Sequence, residues 1–252
     1  AMLLVAIDGR ETWRVSLEPR AGEDAIDPIG RLHEALGTEI EVEILSTWRG
    51  SVDNRAINTR YRSGRVFVAG DAAHINTPRG GLGANTGVQD AVDLGWKLAA
   101  VLQGWGGPHL LDSYEFERRQ AALRVLHFQG VDLSGGEALD VVTDIERLPV
   151  EVPANLENPD EAGAGARRRL ARDIWRVNSN LYTHPGIDLG CTYEDSPICV
   201  GDDTPPPAPT VATYAQSARP GSRAPHQWLA AGCSTLDLFG EGFTLLRIVG
   251  QA

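Results

Sequence analysis

The sequence predicts a mixed α/β fold. Three features carry the expectation. Short β-rich runs are punctuated by Gly, Asp and Pro turn signals, other segments repeat apolar residues every three or four positions, and one apolar run passes through a glycine-rich loop into such a segment. The 252 residues leave room for one large domain or two smaller ones. With 42% hydrophobic and 23% charged residues, a packed core is expected and wholesale disorder is excluded.

The elements follow in order. Residues 2–7 and 11–17 are strand-like, and Asp8-Gly9 between them signals a hairpin. Residues 27–36 read as a short helix, with Asp27 as cap, Pro28 at the first position and Gly37 as the stop. Residues 39–45 alternate charged and apolar side chains, the pattern of a half-exposed strand. A turn at Ser63-Gly64 leads into an apolar strand at 65–69, which ends at Gly70-Asp71. The glycine-rich loop at 78–85 precedes a helix with Val88, Ala91, Val92, Gly95, Leu98, Ala99 and Leu102 on one face. That face is expected to be the core face, with Thr86 and Gln89 as a capping box and Gly104 as the stop. Residues 112–129 read as a second long helix with an Asp112/Glu115 capping box. Helices are expected at 141–148 and 159–181, the latter beginning late because of two glycines between Ala162 and Ala166. Residues 202–220 read as a stiff Pro-rich linker, and 223–250 as the start of a separate domain that includes a strand at 243–249.

Several function classes are excluded. Lys and Arg number 23 against 34 Asp and Glu, a net charge of −11 that repels phosphate backbones. No nucleic-acid partner is expected. No basic amphipathic stripe or long apolar run points to a membrane. The apolar residues 3–7 are too short for a signal peptide, and no basic segment precedes them. Three irregularly spaced cysteines fit neither a disulfide framework nor a zinc site, and the six histidines show no metal spacing. A cytoplasmic protein without a metal is expected.

The chemistry concentrates between the strand end and the next helix. A carboxylate such as Asp71 at a strand end can accept hydrogen bonds from sugar or polyol hydroxyls. Glycines let backbone approach a flat ligand closely. The free amides of a helix start, near Ala84 and Asn85, favour an anion or developing negative charge. A planar electron acceptor with a hydroxylated tail uses all three devices. An ordinary glycine-rich turn before a helix explains the same spacing equally well.

The string itself decides between these readings. GRVFVAGDAAH at 64–74, PRGGLGANTGVQDA at 78–91 and LGWKLA at 94–99 strongly resemble the second flavin motif of the class A flavoprotein aromatic hydroxylases. YEFERR at 114–119 resembles the helix that follows that motif, and LGCTYEDSP at 189–197 resembles a later family segment. PGSRAPH at 220–226, STLDLF at 234–239 and FTLL at 243–246 look like the opening of the family's thioredoxin-like tail. The likeness is to polyketide and phenylpropionoid hydroxylases of the group. It implies the C-terminal part of a two-domain FAD-dependent hydroxylase fold. Residues 1–60 would belong to the substrate-domain sheet, 61–200 to the C-terminal part of the FAD-binding domain, 201–220 to a linker and 221–252 to a truncated thioredoxin-like domain.

The resemblance also implies the cofactor, reaction and site. FAD would be held by Gly70, Asp71, Pro78, Gly81, Gly83, Ala84 and Asn85. Asp71 would bind the ribityl chain, and the amides near Gly83, Ala84 and Asn85 the pyrimidine edge, while Pro78 would sit by the reactive edge. NADH or NADPH reduces the flavin, which with dioxygen hydroxylates a small aromatic or polyketide-like substrate. No catalytic side chain is implied. The sequence departs from the family at one large point: it contains neither the GxGxxG pyrophosphate fingerprint nor the DG motif in its usual context. A fragment that binds FAD weakly or not at all alone is therefore expected. Its partner would be the missing N-terminal half, or a second copy. The alternative is an inactive truncated homologue acting as an assembly module.

Other residues receive plainer readings. His74 either touches flavin or substrate or is structural. Arg167, Arg168 and Arg169 read as a solvated helix face, and Trp96 as core. Asp53, Asn54 and Arg55 form a turn or contact substrate. Ser222, His226 and Asp237 lack a GxSxG nucleophile elbow, and Cys233 has no CxxC partner.

Overall fold

The computed structural model describes residues 2–23, 25–50, 54–130, 152–193, 195–240 and 242–247. The chain divides into two compact units, Ala1–Gly50 and Ser51–Ala252.

In the first unit, β1 (Met2–Ala6) pairs antiparallel with β2 (Trp13–Leu17). The hairpin forms as expected, but its loop is longer than an Asp-Gly turn. Ile7 N–H donates to the Thr12 carbonyl at 2.9 Å. Inside that loop the Asp8 carboxylate accepts from the amides of Arg10, Glu11 and Thr12 at 2.9, 3.1 and 3.0 Å. These bonds, led by that from Arg10, hold its carboxyl down at about 2. Helix α1 (Pro28–Leu36) starts and stops where expected: Asp27 accepts from Gly30 N–H and Gly37 is left-handed at φ 69°. Residues 39–45 form no strand. A strand exists only through a partner's backbone, and the ladder described in this unit is β1–β2 alone.

The second unit carries the motif. β3 (Ala56–Ile57) pairs with β6 (His74–Ile75), and β4 (Arg62–Ser63) with β5 (Val66–Phe67) around a left-handed Gly64. The strand expected at 65–69 is thus cut to its first half. Its continuation winds into a 3-10 turn, Gly70–Ala72. Helix α2 spans Leu82–Leu102, α3 Asp112–Phe128, α4 Glu161–Tyr182 and α5 Pro185–Leu189. A short pair, β7 (Trp228–Ala230) and β8 (Cys233–Ser234), follows. Tyr61, Ala73 and Tyr114 form one buried cluster, and Leu82, Val125, Phe128 and Ile187 another. No described helix is long and apolar enough to cross a membrane.

Several sequence expectations need correction. Helix α2 begins four residues ahead of Thr86, so Thr86 and Gln89 do not cap it. Instead the Thr86 hydroxyl donates to the Leu82 carbonyl at 2.8 Å. The stripe expected to be core is largely the outer face: Val88, Val92 and Leu102 are 63%, 66% and 83% exposed. The buried face carries Thr86, Asp90 and Lys97, which is tolerable because Asp90 and Lys97 are paired. Asp112 and Glu115 do not cap α3 either. Asp112 pairs with Arg62, and Glu115 accepts from the amides of Tyr61 and Arg62 at 2.8 and 3.1 Å.

Helix α4 does not begin late, because Asp160 caps it through Gly163 N–H at 2.8 Å. A Cβ on Gly163 would lie 2.0 Å from the Asn158 carbonyl oxygen, so this glycine serves a close approach. The Pro-rich segment has no regular structure, yet it is docked. Val211 packs on the Phe128 cluster, and its carbonyl accepts from Gly186 N–H at 2.9 Å. Residues 243–247 form no strand. Trp96 is only half-buried, meeting the Phe243 ring edge-on at 6.0 Å. The helix expected at 141–148, Val249 and Asp53 lie outside the described residues.

Candidate functional site

The strand-end turn is fixed from beneath. Gly70 sits at φ 58°, a left-handed state that glycine adopts freely. Its N–H donates to Asp90 Oδ2 at 3.0 Å. The Gly70 backbone lies against helix α2 at Gly87, where a Cβ would come within 3.2 Å of Gly70 Cα. Asn58 ties the far side of the turn, donating to the Ala72 carbonyl at 2.7 Å. Asp71 is therefore held on an anchored turn, with its side chain exposed.

The glycine loop is the second part. Gly81 N–H donates to the Pro78 carbonyl at 3.1 Å, and Gly80 and Gly81 are left-handed at φ 76° and 66°. Helix α2 then starts with no side-chain cap at Gly81. The Asn85 side chain turns back to the Gly81 carbonyl at 2.8 Å. The amides of Leu82, Gly83 and Ala84 have no partner within the helix and carry its partial positive charge, while that of Asn85 makes the first intrahelical bond, to the Gly81 carbonyl. Pro78, Gly81, Ala84 and Asn85 are exposed and Gly83 is half-buried. The structure brings Gly81, Gly83, Ala84 and Asn85 together as one helix start, places Pro78 at the preceding turn, and pins Gly70 against the same helix one turn further on.

A buried ionic network supports both parts. Asp90 accepts from Arg118 Nε at 2.7 Å, and its other oxygen lies 2.8 Å from His74 Nε2. Arg118 also donates to the Tyr193 hydroxyl and, at 3.3 Å, to the Thr86 carbonyl. His74 Nδ1 lies 2.8 Å from Asn76 Oδ1, and Gln129 Nε2 reaches the Thr77 carbonyl at 3.1 Å. Lys97 pairs with Asp93 at 2.7 Å and with Glu117, which also accepts from Ser196. His74 is thus a structural residue, buried under the motif. Asp90, Arg118, Tyr193 and Gln129 were not singled out from the sequence. The signal was there in Thr86, Asp90, Asp93 and Lys97, polar residues at helical spacing opposite the apolar stripe.

The titration of the pair follows from its surroundings. Burial alone would lower the His74 value, but the bonds to Asp90 and Asn76 outweigh it and the value is raised. Burial alone would raise that of Asp90, but the bonds from His74, Arg118 and Gly70 hold it below the ordinary range. A raised histidine contributes stability that is fully present below its unfolded value and is lost as pH rises through the folded one. The margin of the wild type over His74→Gln in thermal unfolding should therefore be largest below about pH 6.5 and shrink as pH rises above it. A margin independent of pH would contradict this.

Arg167 Nη1 donates to the Leu156 and Asn158 carbonyls at 2.7 and 3.0 Å, and Arg168 pairs with Glu161. Both serve the start of α4. Among the described residues, no group of three or more His, Cys, Asp or Glu side chains could hold a metal ion.

This geometry coincides with a known domain. A profile described as FAD binding domain matches residues 4–129, the N-terminal half of the chain. The chain belongs to the FAD binding domain family. The matched span takes in the β1–β2 hairpin and α1 as well as the whole glycine-rich motif. The chain is 34% identical over 236 residues to 2,4-dichlorophenol 6-monooxygenase of Cupriavidus pinatubonensis, covering 88% of this chain and 39% of that enzyme. It is 34% identical over 248 residues to aklavinone 12-hydroxylase of Streptomyces purpurascens, covering 94% and 39%. Among solved structures, the rebeccamycin biosynthetic enzyme RebC with reduced flavin superposes with a TM-score of 0.62 at 36% identity, covering 95% and 42%. The flavin-dependent monooxygenase PieE, in complex with FAD and substrate, gives 0.60 at 28% identity, covering 95% and 44%. The chain thus spans between 39% and 44% of the length of these relatives.

Proposed function

We propose that this chain is the C-terminal portion of an FAD-dependent aromatic hydroxylase that uses NADH or NADPH and dioxygen in the cytoplasm. The single observation that carries the reading is the pairing of Gly70 with Gly87. It fixes a strand-end carboxylate, Asp71, beside a helix that starts uncapped. The site fits the cofactor: glycines leave backbone bare where a flat ring would lie, and the helix start favours a ring edge that becomes negative on reduction.

Asp71 would accept from the ribityl hydroxyls. The Gly83 and Ala84 amides would donate to the pyrimidine edge with Asn85 beside them, Gly81 bare beneath the ring and Pro78 beside its reactive edge. FAD, when bound, supplies the redox and oxygen chemistry. The protein binds it, orients it and excludes water. The names of the relatives point to a small phenol or polyketide-like aromatic as substrate.

The likeness of residues 64–119 to the second flavin motif and the helix after it is what supports assignment to the C-terminal portion. Residues 1–60 would then be substrate-domain sheet and 61–200 the end of the FAD-binding domain. The docked segment 201–220 would lead to a thioredoxin-like start at 221–252. The outward apolar stripe of α2 would suit a partner on that face, a pyrophosphate-binding half or a second copy. Titrating FAD into this chain and into Asp71→Ala, read by flavin fluorescence, tests the site, with weaker binding expected in the variant.

A further inference from the structure

We propose that His184 is a positioning residue, fixing the glycine turn before α2 and through it the amides that would face the flavin. Its functional half rests on the FAD reading above, while its structural half stands without it. His184 belongs to a segment 104 residues further along the chain than the turn it touches. Its Nε2 lies 3.2 Å from the Gly80 carbonyl oxygen, and its Nδ1 lies 2.9 Å from Asp188 Oδ1. Both ring nitrogens face oxygen acceptors, and the ring donates to the Gly80 carbonyl when Nε2 carries its hydrogen. The imidazole side chain is only 7% exposed and meets the Phe128 ring edge-on at 5.4 Å.

The base of the histidine is equally fixed. Gly186 N–H donates to the Val211 carbonyl at 2.9 Å, and the Gly186 carbonyl accepts from Arg124 Nη2 at 3.0 Å. A Cβ at Gly186 would lie 2.2 Å from the Thr210 carbonyl oxygen, so backbone is packed against backbone there. The donor is therefore held from three sides.

What it holds has no strong preference of its own. Gly80 and Gly81 are consecutive left-handed residues, and glycine populates either hand about equally. A reversal at Gly80 would swing the Gly80–Gly81 peptide and redirect the start of α2. A buried donor on the Gly80 carbonyl selects one of the two states. Neither the flavin motif nor its glycines supply this bond.

Amide exchange resolved by 1H–15N NMR on the full chain tests it. In His184→Phe, exchange at Gly81, Thr86 and Gly87 should rise about tenfold, with the core of α3 still protected. His184→Gln retains an amide donor and should restore most of the protection. Asp188→Asn changes a half-exposed side chain and should give a smaller rise at the same three sites. FAD affinity should follow the same order. Unchanged exchange at those sites in folded His184→Phe would overturn the proposal. So would a rise spread equally over α3, or a failure of His184→Gln to differ from His184→Phe. If His184→Phe does not fold, unchanged exchange in Asp188→Asn overturns it. If the wild type binds no FAD, the FAD reading fails alone and the exchange result still decides the role of His184.

Discussion

Replacing Arg118 with methionine should lower the stability of the chain by about 3–5 kcal/mol, because it leaves a buried carboxylate without its cation. For a protein of this size, that corresponds to a fall in Tm of roughly 10 °C. The guanidinium is 1% exposed and bonds Asp90, Tyr193 and the Thr86 carbonyl at once. Methionine fills much of the volume but satisfies none of them. Asp90 would keep His74 and the Gly70 amide, and would sit closer to neutral in a dry site. The cost should be smaller in an Asp90→Asn background, since the charge left behind is then absent. Urea unfolding followed by circular dichroism gives all four corners of this cycle. Additive effects would contradict the network.

A second large effect is expected at Gly87. A Cβ there would meet Gly70 Cα at 3.2 Å. The two methyls of valine need more room, and Gly70 cannot retreat freely while its N–H is bonded to Asp90. Gly87→Val should cost about 1–3 kcal/mol by overpacking, and FAD affinity should fall about tenfold or more as Asp71 moves with the turn. Gly87→Ala separates packing from propensity. In an open helix interior, alanine gains about 1 kcal/mol over glycine. Here the close contact should cancel that gain. A clear stabilisation by alanine, measured by thermal unfolding, would mean that the Gly70 approach is not tight.

These two sites show what the sequence made legible and what it did not. Helix α1 was readable at both ends because Asp27, Pro28 and Gly37 act locally. Helix α2 was readable from periodicity, although it starts at Leu82 and not at Thr86, the span of α3 was readable to within a residue, and the flavin motif from its residues in order. The buried face of α2 was not. Hydrophobic periodicity assigned Val88, Val92 and Leu102 inward, whereas the structure buries Asp90 and Lys97. Their partners, Arg118 and Glu117, lie 28 and 20 residues away on another helix, and no single-helix pattern reveals a cross-helix ion pair. The cap assignments failed because Thr86 lies inside its helix and bonds back to Leu82, while Asp112 and Glu115 serve residues 61 and 62. Thr86, Asp112 and Glu115 have the right residue types, but each is taken by a different partner. The hold of His184 on Gly80 spans still more chain and has no sequence signature. The strand expected at 39–45 failed because a strand needs a partner that its own residues cannot specify.

The central claim is that residues 70–87 form a preformed half-site for FAD. The most direct measurement is an FAD titration of the wild-type chain and of Asp71→Ala by flavin fluorescence. Weak binding is expected of the chain without a pyrophosphate-binding half, reduced about a further tenfold in Asp71→Ala through loss of the charge-assisted bonds to the ribityl hydroxyls. Equal affinity in the two proteins, or no binding at high micromolar FAD, would contradict it.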